Sequence, residues 1–238
     1  IKRYHKRNPT LELPELWHRL RKQGYTRCLE SLYRVMKKLE MLPKKPKKAT
    51  YKPKPYEQMT YPGERVQVDV KVVPRKCIAD PEMKLYQYTA IDEYTRIRFL
   101  YGYEEQSTYS SADFVNRLVK WYKRRGITVK CIQTDNGFEF TNRFSPSKRD
   151  KKTLFENTLS QLDIEHKLIR PYTPRHNGKV ERSHREDHNK FYSCHRFYSC
   201  DDLNVQLAAR LSRTNNRPMR PLKWFSPIEF LNNSVQYD

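Results

Sequence analysis

Val66-Gln67-Val68-Asp69-Val70-Lys71-Val72 alternates strictly between apolar and polar side chains, the two-residue period of a β-strand with one face toward a core. Outward from it, Tyr86 to Ile91 and Arg96 to Tyr103 read as a second and a third strand, divided by the turn Asp92-Glu93-Tyr94-Thr95. The period then changes over 109–125. Phe114, Val115, Leu118, Val119 and Tyr122 recur at helical spacing, and Gly126 ends the helix. Val129 to Thr134 is a fourth strand. A polar insert, Ser145 to Lys152, precedes a helix around 153–162 and a short fifth strand at 165–169. Helices over roughly 177–191 and 201–216 lead into a Pro-containing tail. Three sequential strands followed by strands alternating with helices predict an α/β fold with a mixed five-stranded sheet flanked by helices.

The charge points to a partner. Lys and Arg number 48 against 27 Asp and Glu, a net +21, well beyond what a solvated surface needs. Residues 1–60 hold 17 Lys/Arg and 5 Glu, net +12, which leaves +9 for the other 178 residues. Such an excess favours a polyphosphate, because each neutralised phosphate releases condensed counterions. A membrane surface would instead ask for a basic helix with a wide apolar face. None is visible, nor is a signal peptide or an apolar run of roughly 20 residues that could span a bilayer. Cys28, Cys77, Cys131, Cys194 and Cys200 are odd in number and scattered, with no CxxC pair. That argues against a disulfide scaffold or zinc knuckle and for a reducing cytoplasm.

The basic first quarter has its own organisation. Leu13, Leu16, Trp17 and Leu20 mark one helix that stops before Gly24. Thr26 is a candidate N-cap for a second, whose stripe is Leu29, Leu32, Tyr33, Met36 and Leu39. Two short helices about a Gly-containing turn resemble a helix-turn-helix, a small all-α segment over 1–42, with Arg27, Arg34, Lys37 and Lys38 on the helix that would meet DNA. A helical hairpin with a solvated basic face is the plainer alternative. The chain opens on Ile1 rather than Met, so a preceding segment is expected. Residues 43–60 follow as a linker. Its four prolines and six lysines between Pro43 and Pro55, including Lys44, Lys45, Lys47 and Lys48, cannot build a core but suit an extended strap along a phosphate backbone.

Three acids then stand out by position. Asp69 lies mid-strand, where carboxylates are disfavoured. Asp135 follows a strand directly, at the edge where α/β sheets place ligands. Glu181 opens a helix. Singly, each has an ordinary explanation: a solvated strand face, an Asp-Asn-Gly turn, a surface helix position. Their flanks are more specific. Thr134-Asp135-Asn136-Gly137-Phe138-Glu139-Phe140 and Pro171-Tyr172-Thr173-Pro174-Arg175-His176-Asn177-Gly178-Lys179-Val180-Glu181-Arg182 follow Val68-Asp69 in order. Over about 60–232 the chain resembles the integrase catalytic core of insertion-sequence transposases and retroviral integrases, the DDE family with an RNase H-like fold. Asn216-Arg217-Pro218 and Ser226-Pro227 extend the likeness into the tail. The 45 residues between Asp135 and Glu181 exceed the family's usual spacing. The insert at 145–152 is the natural place for the surplus, since loop insertions are thermodynamically cheap.

The resemblance implies a catalytic core over 61–192 and a C-terminal helix and tail over 193–238. It implies that Asp69, Asp135 and Glu181 hold two Mg²⁺ or Mn²⁺ ions. It also implies that the protein binds double-stranded DNA, both the terminal inverted repeats of an element and a target, cuts 3′ ends and joins them, working as a homo-oligomer in a bacterial cytoplasm at the nucleoid. Oxygen ligands suit those ions, and crowded carboxylates need a cation to offset their repulsion. Lys179, Arg182 and Arg185 are candidate phosphate contacts, Asn177 a helix N-cap, and Asn136 shapes the loop after Asp135 and is a DNA contact candidate. Glu181 with His184 and His188 could instead suggest zinc, though Arg185 shares that face. Glu139 and Asp92 read as non-catalytic turn acids and His166 as structural. The competing functions are a catalytically inactive, transposase-derived DNA-binding regulator and an RNase H-like nuclease that only hydrolyses.

Overall fold

The computed structural model describes residues 1–8, 11–42, 57–147, 150–170 and 177–235. The chain divides into two compact units, Ile1–Pro55 and Tyr56–Asp238.

Among its described residues the first unit contains three helices rather than two: α1 (Lys2–Arg7), α2 (Leu13–Arg21) and α3 (Leu29–Lys38). Its small core is Leu16, Leu20, Leu32 and Met36, with Tyr4 and Ile1 from the α1 end packed against it. Sequence periodicity passed over α1 because six residues, mostly basic, show no apolar stripe. Gly24, at φ +90°, makes the turn after α2. The N-cap position of α3 is Cys28, not Thr26, and its side chain forms no cap hydrogen bond. The indole of Trp17 donates to the carbonyl of Arg27 at 2.9 Å and so ties the turn to α2.

The second unit is built on β1 (Val66–Val72), β2 (Tyr86–Asp92), β3 (Arg98–Tyr103), β4 (Cys131–Thr134) and β5 (Glu165–Leu168). The sheet order is β3-β2-β1-β4-β5. β1–β2 and β2–β3 are antiparallel, while β1–β4 and β4–β5 are parallel. Around it lie α4 (Thr108–Lys123), α5 (Leu154–Gln161), α6 (Gly178–Lys190), α7 (Cys200–Asn215) and α8 (Pro227–Val235). The fold expected from the alternating strand stands, and α8 adds a helix to what the sequence presented as tail.

The two faces of the sheet differ in chemistry. One carries Val66, Val68, Tyr88 and Ala90 and packs against Phe114, Val115, Leu118 and Tyr122 of α4, all buried. The other carries Gln67, Asp69, Gln87 and Thr89 and lies under α6, whose Lys179, Val180, His184 and Asp187 bond to it. The strict alternation of β1 therefore does not mark a solvated face. It marks a polar layer beneath a helix.

Local sequence sets the helix ends. The Ser107 hydroxyl accepts from the Ser110 amide to start α4, and Gly126, at φ +73°, follows its end. Thr153 and Glu156 form a capping box on α5. The expected division at 192/193 does not fall between compact units. Ile78 pairs with Phe197, Asn204 bonds Gly102, and the Asn215 amide bonds both backbone groups of Arg98.

Candidate active site

Asp69 and Asp135 are brought together by strand register. Gln67 on β1 lies beside Gln133 on β4 in a parallel pair, and two further steps carry each chain to its aspartate. Asp135 leaves the end of β4 and turns at once. Its carboxylate accepts from the Gly137 amide at 3.0 Å, which fixes the loop. Asp69 accepts from its neighbour's amide, Val70, at 2.9 Å. Burial first, and the charge of Asp135 second, push the Asp69 carboxyl up to about 7, with Glu181 and Glu139 adding in the same direction.

Glu181 sits in the first turn of α6, exposed, where it feels Asp69 electrostatically. Among the described residues no three His, Cys, Asp or Glu side chains stand close enough to hold an ion as they are. Two of the predicted acids are thus adjoining, and the third stands off on the helix above them.

The position of that helix depends on a residue that sequence reading missed. Asn177 does occupy the N-cap position, but its side chain does not cap. Its amide nitrogen donates to the Val68 carbonyl at 3.4 Å, and its oxygen is buried without a partner among the described residues. Gln67 caps α6 instead, from another element. Its side-chain oxygen accepts from the amides of Lys179 and Val180 at 3.1 and 3.2 Å. The signal was present in β1, where Gln67 lies two residues before Asp69 and so shares its face.

A fourth carboxyl closes the floor. Glu139 is 3% exposed, accepts from Gln106 at 2.7 Å, and keeps its second oxygen buried and unpartnered among the described residues. Burial, then Asp135, raises its proton affinity. A Cβ on Gly137 would meet this carboxyl at 2.6–2.8 Å, so any larger residue there would have to displace the Glu139 side chain.

The predicted DNA contacts fall in different settings. Arg182 and Arg185 are exposed on α6. The Lys179 ammonium is engaged with the buried carboxylate of Glu93, which also takes Arg65 at 2.9 Å. Asn136 bridges loops, donating to the Ile169 carbonyl at 3.0 Å and accepting from Arg143 at 3.4 Å. Arg27, Arg34, Lys37 and Lys38 are all exposed on the first unit, with Arg34 3.6 Å from Glu30. Lys44, Lys45, Lys47 and Lys48 lie outside the described residues, as does the motif from Pro171 to His176.

His184 turns inward and is 8% exposed, whereas Glu181 and His188 are exposed. The imidazole lies 3.0 Å from the Thr89 hydroxyl and 3.5 Å from Asp69. Burial, then Arg98, holds it at about 3, so it is neutral. His166, also neutral through burial at about 4, packs edge-on against Phe155 and bonds Thr134 at 2.9 Å. It belongs to the packing, as read from the sequence.

A mixed sheet with one carboxylate in the middle of β1, a second just past the end of the parallel strand β4 beside it, and a third on the helix over them defines the RNase H-like class of catalytic core. The chain belongs to the integrase core domain family, which it matches over residues 60–174 and, through a second description of the same domain, over 162–227. It is 32% identical over 173 residues to the ORF3 protein of Spiroplasma virus SpV1-C74, assigned as an integrase, covering 71% of this chain and 47% of that protein. It is 27% identical over 215 residues to the protein assigned as the transposase of insertion sequence element IS5376 from Geobacillus stearothermophilus, covering 90% of this chain and 51% of that one. The chain thus spans about half the length of these curated relatives. Its fold is that of the catalytic core domain of BIV integrase (TM-score 0.51, 19% identity, 74% of this chain and 99% of that one). It is also that of a chain in the simian T-cell lymphotropic virus intasome complex with the PP2A regulatory subunit B56 gamma (TM-score 0.53, 15% identity, 83% of this chain and 64% of that one). No helix among the described residues is long and apolar enough to cross a membrane.

Proposed function

We propose that this protein is a DNA transposase that binds the terminal repeats of its element, cleaves their 3′ ends and transfers them to target DNA. The reading rests on one observation above the rest: Asp69, poorly solvated, is held beside Asp135, whose charge opposes its own, and among the described residues no Lys or Arg forms an ion pair with either. Such an arrangement is costly unless a metal provides the missing charge. The donors fit hard divalent ions, since all three are carboxylates and Glu181 can swing from its exposed position toward the pair. Asp69, Asp135 and Glu181 would hold two Mg²⁺ or Mn²⁺ ions. When bound, such a pair activates an attacking oxygen and stabilises the leaving one in an in-line phosphoryl transfer.

The chain's own groups supply the rest. Gln67 sets the start of α6, and with it the height of Glu181 above the sheet. The Gly137 amide fixes the rotamer of Asp135. Arg182 and Arg185 meet phosphates on the exposed side of α6, and the basic first unit reads the repeat. Water serves as nucleophile for cleavage and the freed 3′-OH for joining, so no Tyr or Ser ester is needed. Two ends must be handled together, which calls for a homo-oligomer on DNA.

The test is incubation with labelled DNA flanking the protein's own gene, scoring 3′ cleavage and joining with and without Mg²⁺. Wild type should do both only with the metal. Asp135→Asn should lose at least about a hundredfold in each while binding the same DNA, as expected for removal of a group used in the transition state. The exposed stance of Glu181 favours one rival, a DNA-binding regulator without catalysis. Repeat binding without nicking in either Mg²⁺ or Mn²⁺ would establish it.

A further inference from the structure

From His184, which lies beside Asp69, a buried chain of hydrogen bonds runs between α6 and the sheet to Asp187 and Tyr192. The Gln87 oxygen accepts from the Tyr192 hydroxyl, which fixes the orientation of the amide. Its nitrogen then donates to Thr89 at 2.9 Å and to Asp187 at 3.0 Å. Asp187 also accepts from Arg98 and from Arg210, the latter at 3.0 Å. It is therefore ionised, and its oxygens can only accept. Thr89 takes the Gln87 proton, so the single proton of its own hydroxyl has one destination among the described residues: the Nε2 of His184, 3.0 Å away. A neutral imidazole that accepts at Nε2 carries its proton on Nδ1. Nδ1 is the atom facing Asp69 Oδ2, at 3.5 Å. An imidazolium would present the same N–H there.

Resting on the reading of Asp69 as a metal ligand, we infer that His184 is a positioning residue. Its Nδ1–H steadies Oδ2 of Asp69, while the Val70 amide steadies Oδ1, so the carboxylate keeps one orientation toward the cation site. At 3.5 Å the pair is at the long limit of a hydrogen bond, and it would tighten if Asp69 were held by a cation. A donor that holds a ligating carboxylate in one orientation changes metal affinity by about 10–100-fold.

Two substitutions separate the roles of the two ring nitrogens. His184→Asn puts an amide N–H near the position of Nδ1, and His184→Gln puts its amide near Nε2. Mn²⁺ binding to the full chain, followed by the electron paramagnetic resonance of free Mn²⁺, should be weakened about 10–100-fold by His184→Gln and restored to within a few-fold by His184→Asn. In the metal-free protein at about pH 8, where neutral imidazole predominates, two-bond ¹H–¹⁵N correlation should show His184 protonated on Nδ1. Protonation on Nε2, or His184→Gln binding Mn²⁺ like wild type, would overturn the inference and leave the metal site intact. Wild type that binds no Mn²⁺ would overturn both. A purely structural His184 would show equal losses for the two variants and no rescue by Asn, which also counts against it.

Discussion

At the scale of single residues, the acidity of Asp69 is the most informative property of the site. Its carboxyl is lifted from 3.8 to about 7, first by burial and then by Asp135. Folding therefore favours the neutral acid over the ionised one. The stability this contributes is whole below the unfolded pKa and is lost as pH rises toward the folded value. In EDTA, the melting temperature of wild type should fall across that window, from about pH 4 to about pH 7, more steeply than that of Asp69→Asn. At the upper end the variant should melt higher. Adding Mg²⁺ there should raise wild type and leave the variant nearly unmoved. A melting difference that ignores pH would mean that the charge of Asp69 is not what strains the site. In the sequence this acid stood out only together with the motifs around Asp135 and Glu181, because a polar position on an alternating strand by itself reads as a solvated face. Glu139 was not. Its burial comes from Gln106, Gly137 and the surrounding fold, none of which leaves a mark on the local pattern.

At the scale of elements, the site depends on how α6 is seated on the sheet. Periodicity located the helix to within a residue or two at each end, and the alternation of β1 located the strand. What the sequence did not show was the bond between them. A polar residue at alternate strand positions ordinarily faces water, and only the covering helix turns Gln67, Gln87 and Thr89 into a buried layer. Helix capping is likewise sought in the chain just before the helix, whereas the cap of α6 comes from a strand more than a hundred residues earlier. Gln67→Leu keeps the volume and removes the acceptor. It leaves the amides of Lys179 and Val180 without that bond, at roughly 1–3 kcal/mol for each buried group. Urea denaturation should show a loss of about 2–5 kcal/mol with the slope unchanged. The surviving folded protein should cleave DNA more slowly, because Glu181 rides on the loosened turn. A stable variant with normal cleavage would show that contacts other than Gln67 seat α6.

At the scale of the whole chain, charge and chemistry are carried by different units. The acids lie in Tyr56–Asp238, while Ile1–Pro55 holds 17 Lys/Arg and 4 Glu, +13 of the net +21. Composition alone made this division visible, since a Pro/Lys stretch separates the helical segment from the alternating strands. What composition cannot tell is which cations meet phosphate. Structure sorts some of them. Lys179 is engaged with Glu93, whereas Arg27, Arg34, Lys37 and Lys38 stand exposed around α3. If these four each neutralise one phosphate, they account for about 3–4 units in the slope of log K against log salt, at roughly 0.9 per phosphate. The full chain with all four replaced by Ala should therefore bind duplex DNA with a slope shallower by about that amount. Fluorescence anisotropy between about 50 and 300 mM salt would measure it. Sequence preference separates two ways in which the first unit could act. If α3 only rides on phosphates, repeat and random duplexes lose affinity equally. If it enters the major groove, the repeat loses more, because base contacts go along with the charges. An unchanged slope would take these four residues out of the DNA-binding surface.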